Sequence, residues 1–431
     1  MQRRLLLSAF GCLPNWGSEP GVGWAWALGA AALGDDVSVI TVSSGRKAIE
    51  AYFEERPCPP NLHFIFVDEV AERWPGFVGR ILNNKLRFYQ KNLIWQWRAY
   101  RTALALHRFH PFDAVHHVTV AAIRAPSFMG RLGIPFIFGP LGGGESAPWR
   151  LRWSYGWQGF VFDAIRDLSN LAIRWDPLMR QSFRQATKIY VTTQQTREII
   201  PARWRHKTEI ELAIGCDEGM ADAADICGTS RDTSTYKILF VGRLLDWKGM
   251  SLGLRAFAEL VKKIPEARLV IVGGGPAENR WRRLADRLGI GAHVTWIRRI
   301  PHDRISETYH SHDVLLFPSL HDSGGMVVLE AMLHGLPVVC LDLGGPGTLI
   351  DNACGRVVTT RNLSARGACS ELCRNLFELR DAELRAELGA RAKQKARTWN
   401  WSQKISNIIE GTRINQGQQT EERGVEGDLF L

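Results

Sequence analysis

Eight cysteines are scattered through this chain of 431 residues, and no two of them form a C-x-x-C pair. That absence and scatter suit reduced thiols in a cytosolic core better than a disulfide framework or a zinc site. Cys369 and Cys373 stand one helical turn apart. No stretch reaches the roughly eighteen apolar residues that a membrane-spanning helix needs. No repeat of solenoid length is visible. The dinucleotide fingerprint G-x-G-x-x-G is missing, because Trp24, Ala25 and Trp26 follow Gly21 and Gly23, and this disfavours a nicotinamide-dependent oxidoreductase. No convincing Asp-x-Asp motif stands in a strand-end loop, so no metal is expected. No recognised nucleic-acid motif is present, and no nucleic-acid partner is expected.

Apolar residues make up 45% of the chain and charged residues 23%, as in ordinary soluble globular proteins. The formal charge of +10 is less ordinary. It favours acidic partners, of which nucleotides and anionic lipid headgroups are two. The start, MQRRLLLSAFGC, imitates a signal peptide, and Cys12 imitates a lipid-modified cysteine. Its apolar run is short and leads directly into a glycine-rich turn, so a first core strand is the expectation.

A chain of this length exceeds one hydrophobic core and predicts two domains of roughly 200 residues each. Short apolar runs alternate with longer amphipathic segments. The runs are RLLLSAF, DVSVITV, LHFIFV, DAVHHV, IPFIFG and TKIYVTT in the first half, then KILFVG, ARLVIVG, AHVTWI, DVLLFPS and LPVVCLD. Continuous apolar strands of this kind belong to parallel sheets covered by helices on both faces, which predicts two doubly wound, Rossmann-like α/β domains. The expected boundaries are an N-terminal domain over 1–205, a polar linker over 206–236 and a C-terminal domain over 237–396. A terminal helix over 397–410 and a disordered polar tail over 411–431 complete the expectation.

Ligands of open α/β sheets bind beyond the carboxyl ends of the strands. The loop VGRLLDWKG follows the strand KILFVG and places Arg243 and Lys248 before a helix that starts near Gly249. Helix amides and fixed cations together suit a diphosphate; a solvated surface pair is the alternative. A second strand-end loop, FPSLHDSGG, carries Asp322, Gly324 and Gly325 and leads into a helix bearing Glu330. Carboxylates accept paired hydrogen bonds from vicinal hydroxyls, and glycines admit close backbone approach. Glu330 also reads as an N-terminal helix charge favoured by the dipole.

VGRLLDWKG, IVGGGP at 271–276 and the carboxylate pair with EAM at 330–332 recur in this order in retaining glycosyltransferases of the GT-B fold. The chain resembles that nucleotide-sugar-dependent family, which includes sucrose-phosphate synthases and bacterial cell-envelope glycosyltransferases. The resemblance implies two Rossmann-like domains facing across a cleft. It gives Arg243 and Lys248 the donor diphosphate, Glu330 the nucleotide ribose and Asp322 the donor-sugar hydroxyls. Asp322 stands where the family usually has glutamate, one methylene longer. Trp296 to Arg299 match the segment bordering the nucleobase, which makes Ile297 and Arg298 donor contacts; Arg298 replaces a frequent glycine.

In the first half the match is looser. GSEPGVGWAWA, residues 17–27, resembles the family's glycine-rich loop beside donor phosphates and acceptor, with Gly21 and Gly23 permitting close approach to the donor and Glu19 facing either substrate, the acceptor side being nominated. DAVHHVT offers His116 and His117 near the reacting sugar, and alternation along a strand lets one of them face the cleft, His117 being preferred. GPLGGGESAP resembles an acceptor-side segment, which nominates Gly142, Gly143, Gly144 and Glu145.

The resemblance thus implies hexose transfer from a UDP-, GDP- or ADP-sugar to a saccharide or lipid-linked acceptor, with no cofactor and no metal. Two stretches, 72–108 and 147–184, mix Arg and Lys with Trp, Phe and Tyr. They suit either an anionic membrane surface, which implies a peripheral cytoplasmic enzyme, or ordinary helices with aromatics turned into the core. Other readings are a different enzyme on a similar scaffold, such as an epimerase, and a noncatalytic sugar-nucleotide sensor or partner subunit.

Overall fold

Every apolar run singled out above forms a strand in the computed structural model, which describes residues 2–69, 84–216, 219–220, 235–301 and 304–410. Most of the expected linker, the expected tail 411–431 and the start of the aromatic stretch at 72–83 lie outside the described residues. The first sheet contains β1 (Arg4–Ala9), β2 (Asp36–Val42), β3 (Leu62–Val67), β4 (Ala114–Thr119), β5 (Phe136–Leu141), β6 (Lys188–Val191) and β7 (Thr208–Ile210). Its order is β3-β2-β1-β4-β5-β6-β7, and every pairing is parallel. The second contains β8 (Lys237–Val241), β9 (Arg268–Val272), β10 (Val294–Ile297), β11 (Val314–Phe317), β12 (Val338–Leu341) and β13 (Gly355–Val358). Its order is β10-β9-β8-β11-β12-β13, again parallel throughout. These are the two doubly wound sheets of a GT-B fold.

Burial on both faces explains why such strands read as continuous apolar runs. Leu5, Leu6 and Leu7 of β1 are fully buried, so the start of the chain is a central strand. In the second sheet Phe240 of β8 stacks on Phe317 of β11 and meets Trp281 edge-on. β7 and β13 escaped the sequence reading. TEI and GRVV are short, and each lies at a sheet edge, where one missing neighbour removes the demand for an apolar run.

The chain divides into two compact units at places the sequence did not indicate. One unit takes residues 1–143, 170–213 and 401 onward; the other takes 144–169 and 214–400. Residues 144–169, expected in the first domain, therefore pack with the second sheet. The final helix, 401–410, joins the first unit and buries Trp401, Ile405, Ile408 and Ile409 there. Lys404 fastens it by donating to the Leu212 carbonyl at 2.6 Å and pairing with Glu211 at 2.8 Å.

Candidate functional site

The second sheet changes winding direction between β8 and β11, and the loops after these two strands carry the residues of interest. This is the switch point, where open α/β sheets bind ligands. After β8 the chain passes Gly242, then Arg243, and makes one 3₁₀ turn, Asp246–Lys248, before the helix Met250–Lys263. Gly249 joins turn to helix at φ 71°, where a side chain would strain the backbone, and a Cβ there would strike the Pro318 carbonyl of the next loop. The loops are also tied directly, because the Trp247 carbonyl accepts from the Leu320 amide at 2.8 Å and from Ser319 Oγ at 3.3 Å.

Lys248 and Asp322 meet across these loops as an ion pair, each side chain less than one-fifth exposed. The Lys248 ammonium also lies 4.8 Å from the centroid of the Phe317 ring. Sequence assigned the two residues to different parts of a ligand; the structure shows them as partners of each other. An ammonium has three N–H donors, so a salt bridge to Asp322 leaves it able to hold an anion as well. Arg243 is exposed at the end of β8. Gly325, at φ 84°, starts the helix Met326–Leu333, and the Gly324 amide approaches Asp322 Oδ1 at 3.4 Å.

Glu330 lies on that helix, half-buried, and accepts a 2.6 Å hydrogen bond from the Tyr309 hydroxyl on Oε2. Tyr309 is fully buried, and burial followed by the neighbouring Glu330 charge holds its hydroxyl well above the ordinary tyrosine pKa. It therefore stays a donor and fixes the carboxylate. Ile297 ends β10 and accepts from the Gly273 amide at 2.8 Å, while the stem of the exposed Arg298 runs beside Gly274.

Residues 144–169 brace these loops from the outside. His321, next to Asp322, stacks on Trp247, and Trp247 stacks on Phe162. His321 Nε2 donates to the fully buried Asp163 at 3.0 Å, and Arg166 donates to Nδ1 at 2.8 Å, so the ring is neutral. Burial lowers the His321 pKa and outweighs the upward pull of Asp163. Burial by itself would raise the Asp163 carboxyl, but His321, Arg166 and Arg152 hold it below the usual range. Arg166 also donates to the Glu145 carbonyl, and the Glu145 carboxylate accepts from Ser323 Oγ at 2.8 Å. Glu145, nominated for the acceptor side, is thus buried against the Asp322 loop, and Gly144 lies in the same unit.

In the first unit the switch point falls between β1 and β4. The expected glycine-rich loop is instead helical, since the helix Ser18–Ala32 already contains Gly21 and Gly23. Their missing side chains admit the backbone carbonyls of Trp16 and Gly11, which lets the helix press on the loop after β1. Glu19 accepts from the Ala121 amide at 2.8 Å. Gly142 bridges to Ala122, and the Gly143 carbonyl accepts from Arg124 at 2.9 Å.

Both histidines of β4 are fully buried, so neither lies at an open rim. His116 Nε2 donates to the Gly139 carbonyl at 2.6 Å and the ring meets Trp26 edge-on. Burial pushes its pKa down to about 3. His117 lies on the opposite face against Phe138, and burial, outweighing a backbone hydrogen bond to Val120, pushes its pKa down to about 4.

Tyr309, Asp163, Arg166 and His321 were not found from sequence. His321 lies inside the motif that was read, and Asp163 and Arg166 stand at i,i+3 on an aromatic helix. A face of charges on that helix was the available signal. Among the described residues, no cluster of three or more His, Cys, Asp or Glu side chains is placed to hold a metal ion, and no helix is long and apolar enough to cross a membrane.

Residues 228–395 match the family model Glycosyl transferases group 1. Among curated proteins, D-inositol 3-phosphate glycosyltransferase of Nocardia farcinica is 26% identical over 61% of this chain and 56% of its own length. D-inositol 3-phosphate glycosyltransferase 2 of Catenulispora acidiphila is 35% identical over 38% of this chain and 40% of its own. The GDP-mannose-dependent alpha-(1-6)-phosphatidylinositol monomannoside mannosyltransferase of Mycolicibacterium smegmatis is 31% identical over 41% of this chain and 48% of its own. The chain thus spans about half the length of the curated relatives it matches. Two solved structures share the fold over nearly the whole chain. Sucrose-phosphate synthase from Thermosynechococcus elongatus has TM-score 0.64 and 17% identity, covering 97% of this chain and 100% of its own. Anabaena HepE in complex with UDP has TM-score 0.61 and 16% identity, covering 96% and 100%.

Proposed function

Given that the chain carries a group 1 glycosyltransferase domain on a GT-B fold, we propose that it transfers a hexose from a nucleotide-diphosphate sugar to an acceptor hydroxyl with retained anomeric configuration. The observation that carries this reading is the Lys248–Asp322 pair at the switch point of the second sheet, with Glu330 held by Tyr309 on the following helix. The diphosphate of a nucleotide-diphosphate sugar lies between its sugar and its ribose, so a cation for the one and two carboxylates for the hydroxyls on either side match the groups that such a donor presents.

In this reading Lys248 and Arg243 hold the diphosphate. Negative charge grows on it as the glycosidic bond breaks, so fixed cations stabilise the transition state more than the bound substrate. Asp322 accepts from donor-sugar hydroxyls, Glu330 from the ribose, and the Gly324 and Gly325 amides lie beside the same loop. Ile297 and Arg298 border the base, which is uracil, guanine or adenine. Glu19, Gly142, Gly143, Gly144 and Glu145 shape the acceptor side, the last of them through Ser323. The protein cations supply the charge that a metal supplies in other transferases, so a chelator is expected to leave turnover unchanged.

The named relatives act on inositol phosphate and a phosphatidylinositol mannoside. With them as guide, the acceptor is a saccharide or lipid-linked glycan of cell-envelope polysaccharide synthesis, met by a peripheral enzyme at the cytoplasmic face of a membrane. Calorimetry with UDP-, GDP- and ADP-sugars, followed by an assay for released nucleoside diphosphate, tests the reading. Binding with no release in the presence of any saccharide or lipid-linked acceptor would turn the protein into a sugar-nucleotide sensor.

A further inference from the structure

The helix Trp157–Ala172 is inside out for a helix in water. Two of its charged side chains point inward: Asp163 is fully buried, and Arg166 is almost so, both bound to His321. Gly159 and Phe162 lie on that inward face too, against Asp246 and Trp247. The outward face carries Trp157, Val161, Ile165 and Leu168, spaced four, four and three residues apart, which is one stripe of an α-helix. Trp149 and Trp153 extend it over the preceding turn, and all six side chains are between 46% and 76% exposed. No carboxylate is exposed along the stripe. Of the aromatics that sequence left open as core or surface, Trp149, Trp153 and Trp157 are surface, whereas Trp95 and Phe183 are core.

We propose that this stripe is the element by which the protein docks on a bilayer, with the helix lying along the interface of an anionic membrane. A contiguous apolar face of this kind marks an interaction site rather than ordinary surface. Three tryptophans along one edge favour lipid, because indole rings prefer the layer between hydrocarbon and headgroups. Charge agrees with that choice. Arg150 is exposed beside Trp149, its guanidinium 5.7 Å from the ring, and the chain carries a net +10, so anionic headgroups are attracted. The inward face explains how docking stays compatible with a rigid site, since Asp163 and Arg166 anchor the helix to the loop bearing Asp322.

The inference deepens the reading of a membrane-proximal acceptor, but its test needs no catalysis. The full chain is sedimented with vesicles of phosphatidylglycerol and phosphatidylcholine and with vesicles of phosphatidylcholine alone, at low and high salt. The protein is expected to pellet with the mixed vesicles at low salt. The double variant Trp157→Ser, Ile165→Ser is expected to lose at least tenfold in partition, keeping its circular dichroism and its sugar-nucleotide affinity. Brominated lipid is expected to quench the wild-type tryptophan emission more than that of the variant. Failure of the wild type to pellet, or equal partition of the variant, overturns the proposal. So does self-association in the ultracentrifuge that the double variant abolishes, because the stripe is then a contact between copies. Vesicle binding without sugar-nucleotide binding leaves docking standing and removes the proposed function instead.

Discussion

Lys248 holds its ammonium between a carboxylate and an aromatic face, and that position decides what its loss does. Under the proposed function, removing it takes away charge at the leaving diphosphate, for which the loss of one comparable donor costs about 2.7–4 kcal/mol of barrier. Lys248→Ala is therefore expected to lower kcat about 10²–10³-fold with a much smaller change in melting temperature, read by steady-state kinetics and calorimetry. Tyr309→Phe deletes a hydrogen bond to a charged acceptor, worth about 1.5–3 kcal/mol, and is expected to weaken nucleotide affinity accordingly while leaving Arg243 and Lys248 in place. His116 and His117 make a different prediction. Both titrate lower in the folded chain than the usual imidazole value, so the unfolded chain binds more protons and stability must fall on acidification. The loss starts near pH 6.5 and continues down to about pH 4 for His117 and about pH 3 for His116. Each contributes a slope of about 1.4 kcal/mol per pH unit within its window, measurable as urea midpoints between roughly pH 6.5 and pH 5. A His117→Leu variant should show about half the slope that the pair gives. Arg243, Lys248, Asp322 and Glu330 were legible in sequence because they follow apolar strands at recognisable spacings. Tyr309 was not, since a buried tyrosine looks the same whether it fills a core or holds a carboxylate.

The strands that carry the site read as apolar runs because parallel sheets are covered on both faces, and only the short edge strands β7 and β13 were missed. The segment 144–169 was harder. Its chain neighbours lie in the first unit, yet its contacts lie in the second, and sequence order does not encode a stack such as Phe162 on Trp247 on His321. The glycines of 17–27 misled for a related reason: inside the helix Ser18–Ala32 they admit neighbouring backbone, which sequence cannot separate from room for a ligand. Asp163 anchors the bracing element. Asp163→Ala removes the fully buried carboxylate shared by His321, Arg166 and Arg152 and leaves the arginines only the partly exposed Asp167, and breaking a buried pair costs up to about 3–5 kcal/mol. That loss is expected in denaturant unfolding of the variant; a change under about 1 kcal/mol would remove the network from the account of stability.

For the molecule as a whole, length and alternating pattern were enough to foresee two doubly wound units, and a surplus of positive charge suited anionic ligands. Where one unit borrows a segment from the other half of the chain was set by packing, and the units were correspondingly cut in unexpected places. The central claim is that the second unit binds a nucleotide-diphosphate sugar through Lys248, Asp322 and Glu330. Titration calorimetry of the folded chain with UDP-, GDP- and ADP-sugars tests it most directly, with Lys248→Ala and Glu330→Ala alongside. The account predicts heat from at least one of the three nucleotide classes and a weakened response in both variants; no heat from any of them, or full affinity in both variants, would contradict it.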